Sequence, residues 1–251
     1  MTGFVIGVDG CRAGWVACRR ERSGAAGFEV FPSLDALWDS ARRADLMLVD
    51  VPIGVPGGAD GDGARVCDLA AKRLLGKYNS RVFLTPCREA LACASYPEGN
   101  AMSRSLTGRG LSKQLWMIAP KIREMDAFLG RAEGARERIR ECHPEICFVG
   151  LGGGVIPENK LKPEGIARRL ELLGGLDEGL VELIERTAAG MARKVAGIDD
   201  LIDAAVGAWT AAGVWDGSLR TLPTAVPSDP LGYPMEMVYR ERAGRGVLSG
   251  G

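Results

Sequence analysis

Two aspartates close apolar runs near the beginning of the chain. Asp9 ends the stretch FVIGVD at residues 4–9, and Asp50 lies late in LMLVDVPIG at residues 46–54. A carboxylate inside such a run loses hydration, which is costly unless a partner compensates its charge. Both residues are therefore candidate ligands for a cation, with the alternative that Asp9 starts a turn by local hydrogen bonding.

A second group of acids lies early in a predicted helix at residues 197–213, where Asp199 and Asp200 are followed by Asp203. Residues three apart share a helix face, so Asp200 and Asp203 are expected to point together. The small residues that follow would let this helix pack close to a sheet. The alternative is that these acids only favour the positive end of the helix dipole.

A further candidate acid is Glu145, in the sequence HPEIC. It would either bind metal or orient a water, or else form an ion pair. His143, in the same stretch, is the only histidine of the chain. A histidine-rich metal site is therefore excluded, and we interpret His143 as structural.

Carboxylates that converge repel one another, and a divalent cation relieves that repulsion. We predict metal ligation by Asp9, Asp50, Asp200 and Asp203, and a catalytic set of these four with Glu145. Oxygen ligands without cysteine or histidine favour a hard ion, Mg²⁺ or Mn²⁺. Two such ions can activate a water and stabilise the leaving oxygen of a phosphodiester.

Three basic residues are candidates for contacts with a substrate phosphate. Arg12 follows Asp9 closely, Lys121 lies on a predicted helix, and Lys160 lies near the glycine triplet at 152–154. The alternative for each is an ordinary solvated position.

The first fifty residues predict the elements that would position the acids. Strand-like segments at 4–9, 15–20 and 28–31 are separated by glycine-containing turns, and an amphipathic helix at 33–43 leads to a strand at 46–54. A strand reached through a helical crossover normally lies parallel to a strand of the same sheet. The aspartates of the first and fourth strands would then meet at one edge.

The rest of the chain predicts helices around this sheet within a single domain, 1–251. A helical insertion is expected at 57–135, with one helix at 64–76 and another at 110–130 that Pro120 interrupts. After the insertion the strand pattern is expected to resume. The remaining predicted elements are that strand at 141–151 and helices at 162–174, 178–195 and 197–213.

Composition is that of an ordinary globular protein, with 46% apolar and 25% charged residues. The 32 basic and 32 acidic residues balance, so a nucleic acid would have to bind a local basic patch. Seven cysteines without a C-x-x-C pair argue against a disulfide framework and a structural zinc site. We expect a cytoplasmic protein with no membrane partner, since the sequence has neither a signal peptide pattern nor a long apolar segment.

The sequence resembles an uncharacterised domain family described as predicted RNase H-like nucleases. The resemblance is carried, in order, by IGVDGCRAGWV, VDVPIGVP, RVFLTPCREAL, GLSKQLWMIAPKIREMD, ECHPEICF, KPEGIARRLELL and DDLIDAAVGAWTA. It implies an α/β fold with a mixed five-stranded sheet and helices on both faces, and a metal-dependent nuclease acting on DNA or RNA. The motif D-x-x-D-A, Asp200 to Ala204, is similar to the closing helix of Holliday-junction resolvases, which carry a glutamate where this chain has Asp50.

Two other functional classes remain open. Actin-like ATPases and sugar kinases share this sheet topology and hold phosphates with a hairpin, for which DGCRAG at residues 9–14 would serve. Such enzymes usually need a duplicated domain, and one strand set within 251 residues leaves no second copy. A non-catalytic nucleic-acid-binding or scaffold protein is the other class, and convergence of the acids with Mn²⁺ binding would argue against it.

Overall fold

The structure is a computed structural model that describes residues 3–58 and 63–241. The chain divides into two compact units. The first comprises Met1–Asp50, Gly134–Arg220 and Val238–Gly251, and the second comprises Val51–Glu133 and Thr221–Met237. Most of the predicted insertion falls in the second unit.

The secondary-structure elements are as follows. The strands are β1 (Phe4–Cys11), β2 (Gly14–Glu21), β3 (Ala26–Phe31), β4 (Leu46–Val49), β5 (Ile139–Glu141), β6 (Leu219–Leu222) and β7 (Met237–Arg240). The α-helices are α1 (Leu34–Ala41), α2 (Val66–Leu75), α3 (Arg88–Leu91), α4 (Tyr96–Thr107), α5 (Lys113–Arg131), α6 (Ala135–Arg138), α7 (Pro144–Gly152), α8 (Pro163–Gly174), α9 (Glu178–Gly190) and α10 (Ile198–Ala211). Two 3-10 helices span Gly76–Arg81 and Ala212–Trp215.

The first unit contains the predicted mixed five-stranded sheet, with strand order β3-β2-β1-β4-β5. Its first three strands are antiparallel, whereas β4 lies parallel to both β1 and β5. The crossover between β3 and β4 is α1, whose N-cap Ser33 accepts a hydrogen bond from the backbone N–H of Ala36. The α/β fold with a mixed five-stranded sheet, which the family resemblance implies, is confirmed.

Helix α10 packs directly on β1 because two glycines meet there. A Cβ on Gly7 would lie 2.1 Å from the carbonyl oxygen of Ala204 and 2.2 Å from the backbone nitrogen of Ala208. A Cβ on Gly207 would lie 3.1 Å from the Cα of Gly7. Since residues two apart on a strand face the same side, Asp9 lies on the face of β1 that α10 covers.

Three segment predictions were wrong. Residues 141–151 form the end of β5 and then α7, not a strand, and α5 continues through Pro120. The strand predicted at 46–54 ends at Val49. An apolar run does not distinguish a buried strand from a buried helix, and here Pro144 fits the first helical turn while His143 accepts the backbone N–H of Glu145.

Asp229 organises part of the second unit. Its carboxylate accepts the backbone N–H groups of Val55, Leu231 and Tyr233. It also accepts an N–H of the Arg88 guanidinium, 2.8 Å away. These bonds join the start of the unit to its last segment.

The longest helix of the described ranges is α5, with 19 residues. Lysine, arginine, glutamate and aspartate are spread along it. No helix within 3–58 and 63–241 combines the length and apolarity that crossing a membrane requires.

Candidate metal centre

Asp9 and Asp50 come from neighbouring parallel strands. Val8 of β1 pairs with Val49 of β4. Asp9 directly follows Val8, and Asp50 directly follows Val49. The backbone N–H of Asp50 donates to the carbonyl oxygen of Val8 at 2.9 Å, which continues the parallel pairing by one step. Both aspartates therefore lie at the same level of the sheet.

Asp203 on α10 completes a group of three acids. Each of Asp9, Asp50 and Asp203 offers a carboxylate oxygen, and these oxygens all lie within 4.8 Å of one another. Asp9 is 8% exposed and Asp203 is 3% exposed. The predicted convergence of these three residues is confirmed, and the group has the donor type and closeness that a metal ion requires.

Burial and mutual repulsion make this group electrostatically costly without a cation. Burial raises the pKa of Asp9 well above its ordinary value, and the charges of Asp50 and Asp203 raise it further. Burial likewise raises the pKa of Asp50, and it raises the pKa of Asp203 to about 6. The folded protein disfavours the charged forms, and a bound cation would restore them.

Lys160 supplies part of the charge compensation. Its Nζ lies 2.5 Å from Oδ2 of Asp203, and the charge of Asp203 is the main reason that the pKa of Lys160 is raised. The other oxygen, Oδ1 of Asp203, is buried and has no hydrogen-bond partner among the described residues. A buried carboxylate oxygen of this kind, beside two further carboxylates, fits a ligand position for a hard cation.

Asp200 has a different position from Asp203. Its Oδ2 accepts the backbone N–H of Gly197 at 2.8 Å, which caps the start of α10. Burial raises the pKa of Asp200, and the hydrogen bond from Gly197 opposes that rise. Asp200 thus fixes the start of the helix that carries Asp203, and its ligation of a metal stays a prediction.

Glu145 lies in the first turn of α7 and forms a buried ion pair with Arg169 of α8. Its charge contributes to the raised pKa of Asp50 and to that of Asp203, so it belongs to the surroundings of the three acids. The sequence did not reveal Arg169 as its partner. The sequence gives only a weak indication of this pairing. Arg168 and Arg169 are adjacent, and the orientation of the helix decides which of the two is buried.

The other two predicted phosphate contacts have separate surroundings. Arg12 is exposed, and its charge lowers the pKa of Asp200, which places it near the start of α10. Lys121 belongs to the second unit, where its Nζ lies 3.9 Å from a carboxylate oxygen of Glu124. A role in phosphate binding stays a prediction for Arg12, Lys121 and Lys160.

The raised carboxylate pKa values predict a stability change with pH. A group whose folded pKa exceeds its unfolded value takes up its proton first in the folded state, so metal-free stability rises as pH falls through the folded pKa. We expect Asp9→Asn, which removes one of these charges, to be more stable than the metal-free wild type near neutral pH. The difference should shrink as pH falls below the raised pKa of Asp9 toward 3.8, its ordinary value.

Urea unfolding in the presence of a chelator at several pH values measures this difference. Asp199→Asn is the matched control, because Asp199 lies outside the group of three acids. A metal-free Asp9→Asn variant that is less stable than wild type near neutral pH would show that Asp9 is a structural turn residue.

Comparison with known proteins identifies a family but not an activity. A family model described as "Protein of unknown function (DUF429)" matches residues 7–228. Neither the curated proteins nor the solved structures contain a match to the chain. Since the family match spans most of the sequence and includes Asp9, Asp50 and Asp203, the chain belongs to the DUF429 family of proteins of unknown function.

Proposed function

We propose that this protein is a nuclease that hydrolyses phosphodiester bonds in nucleic acid with the help of Mg²⁺ or Mn²⁺. The observation that carries the proposal is the convergence of Asp9, Asp50 and Asp203, whose oxygens lie within 4.8 Å of one another. This group of three carboxylates includes no cysteine or histidine from the described part of the chain, and oxygen ligands of this kind suit a hard divalent ion. The RNase H-like resemblance of the sequence supports the same chemistry.

The three acids fit such an ion in two further respects. Oδ1 of Asp203 is buried without a hydrogen-bond partner among the described residues, and the raised pKa of Asp9 reflects burial together with repulsion from its neighbours. A cation would provide a partner for Oδ1 of Asp203 and would relieve the repulsion that raises the pKa of Asp9. When bound, it would supply an activated water and neutralise charge on the phosphate.

The residues of the chain would hold the cation and attract the substrate phosphate. Asp9 and Asp50 would hold the cation at the ends of two rigid parallel strands, and Asp203 would do so from α10. Lys160 pairs with Asp203 while its side chain is 41% exposed, so its ammonium would also attract a phosphate oxygen. We retain Asp200 as a proposed fourth ligand and Glu145 as a proposed water-orienting group.

Compartment and partner belong to the same proposal. All seven cysteines lie in the described part of the chain and none of them forms a disulfide, which suits a reducing compartment such as the cytoplasm. The proposed partner is DNA or RNA, with Arg12 as a phosphate contact near Asp200.

The test is a cleavage assay with the purified full chain. Labelled single-stranded, duplex and branched DNA and RNA are incubated with Mn²⁺, with Mg²⁺ and with excess chelator. The proposal predicts cleavage of at least one substrate with metal and none with chelator. Turnover of ATP without cleavage would favour the phosphotransferase alternative, and metal-independent cleavage would contradict the proposed chemistry.

A further inference from the structure

A basic segment with exposed aromatic surface lies in the second unit. Residues 69–87 contain two lysines and two arginines and no aspartate or glutamate, namely Lys72, Arg73, Lys77 and Arg81. The preceding acid, Asp68, is buried and pairs with Arg65, so its charge is compensated inside the unit. The chain as a whole has no net charge, which makes this excess of positive charge a local feature.

Lys72 fixes the shape of this segment. Its Nζ donates to the carbonyl oxygens of Asn79 and Val82, both at 2.7 Å. These bonds tie α2 to the 3-10 helix Gly76–Arg81 and to the residue that follows it. The basic side chains beyond Lys72 are therefore presented from a turn whose backbone is held in place.

Cations and aromatic rings alternate on this turn. The Nζ of Lys77 lies 5.2 Å from the ring centroid of Tyr78, and the Cζ of Arg81 lies 4.6 Å from it. Val82, which follows, is extended and buried. The next residue, Phe83, is 36% exposed, so part of its aromatic ring is accessible two residues after Arg81.

From this arrangement we infer that Lys77, Tyr78, Arg81 and Phe83, called here the 77–83 surface, bind single-stranded nucleic acid. Lysine and arginine attract backbone phosphates, and exposed aromatic rings stack with unpaired bases. A duplex offers its phosphates to Lys77 and Arg81 but keeps its bases stacked inside, so its bases would not stack on the aromatic rings of this surface. The inference rests on the proposed nuclease function and deepens it, because it names the form of the substrate.

Binding is measured by fluorescence anisotropy with the full chain and labelled single-stranded and duplex oligonucleotides of mixed sequence. Excess chelator is present throughout, so neither the metal centre nor cleavage contributes to the signal. The test variants are Lys77→Glu/Arg81→Glu and Phe83→Ala. The control is Arg42→Glu/Arg43→Glu, which makes the same change in net charge at the end of α1.

We expect wild type to bind the single strand more tightly than the duplex. The Lys77→Glu/Arg81→Glu variant should bind at least about tenfold more weakly, and its slope of log affinity against log salt should fall by roughly 1.4, about 0.7 for each lost phosphate contact. Phe83→Ala should weaken single-strand binding roughly fivefold or more through lost stacking, with little effect on the duplex. The control variant should bind like wild type, and every variant should remain folded at the assay temperature, which thermal unfolding checks.

Three results would overturn the inference. The first is that wild type and the Lys77→Glu/Arg81→Glu variant bind the single strand equally well. The second is that this variant and the control lose the same amount of single-strand affinity. The third is that wild type binds anionic lipid vesicles but not oligonucleotides. None of these bears on metal-dependent cleavage, because they are measured in chelator. Conversely, failure of the proposed nuclease activity would leave a positive binding result intact.

Discussion

Asp50→Asn is expected to reduce metal-dependent cleavage by roughly a thousandfold. A bound divalent ion stabilises transition-state charge by several kcal/mol, and each 1.4 kcal/mol corresponds to about a factor of ten in rate. Asparagine keeps the size of Asp50 but removes a negative charge from the group of three acids. Because burial already raises the pKa of Asp50, the substitution should leave folding intact.

The control for this experiment is Asp199→Asn on the first turn of α10. It removes the same charge from a residue that the group of three acids does not include, and cleavage should stay within a few-fold of wild type. Initial rates at saturating Mn²⁺ give the comparison. If Asp50→Asn and wild type cleave at the same rate, either a contaminating nuclease is responsible or Asp50 does not act in the reaction.

Arg169→Leu is expected to lower the free energy of unfolding by about 3–5 kcal/mol, the usual effect of removing one partner of a buried ion pair. The substitution leaves the Glu145 carboxylate buried without the guanidinium that now pairs with it. It also removes hydrogen bonds from Arg169 to the carbonyl oxygens of Glu158 and Gly165. Urea unfolding measures the change.

The double variant Glu145→Leu/Arg169→Leu separates the ion pair from simple packing. Replacing both partners with apolar side chains removes the buried charge, so much of the lost stability should return. A double variant as unstable as Arg169→Leu alone would show that packing and the backbone hydrogen bonds of Arg169 carry the effect. The pair would then have no separate role in holding α7 against α8.

The first four strands of the sheet and the three clustered acids could be predicted because they depend on local patterns. Short apolar segments with glycine turns specify β1 to β3, and one amphipathic helix between β3 and β4 favours a parallel return. That connection alone places Asp9 and Asp50 at one edge. The third acid, Asp203, was predicted from helical spacing and from the small residues that let its helix approach the sheet.

The features that could not be predicted depend on tertiary contacts. Spacing does not reveal that Asp200 caps α10 while Asp203 reaches the two strand aspartates, because this difference depends on where the helix begins. The helix α7 was mistaken for a strand because an element buried on all sides shows no amphipathic period. Arg169 gave only a weak signal, because an arginine is rarely buried unless a charged partner, here Glu145, lies opposite it.

Direct measurement of Mn²⁺ binding tests the central claim, that Asp9, Asp50 and Asp203 form a metal centre. Isothermal titration of chelator-treated, dialysed protein compares wild type with Asp9→Asn and with the control Asp199→Asn. We predict saturable Mn²⁺ binding by wild type and the control, and at least about tenfold weaker binding by Asp9→Asn, since a metal site loses affinity when an ionised ligand is replaced. Equal Mn²⁺ affinity of wild type and Asp9→Asn, or no binding by wild type, would contradict the account.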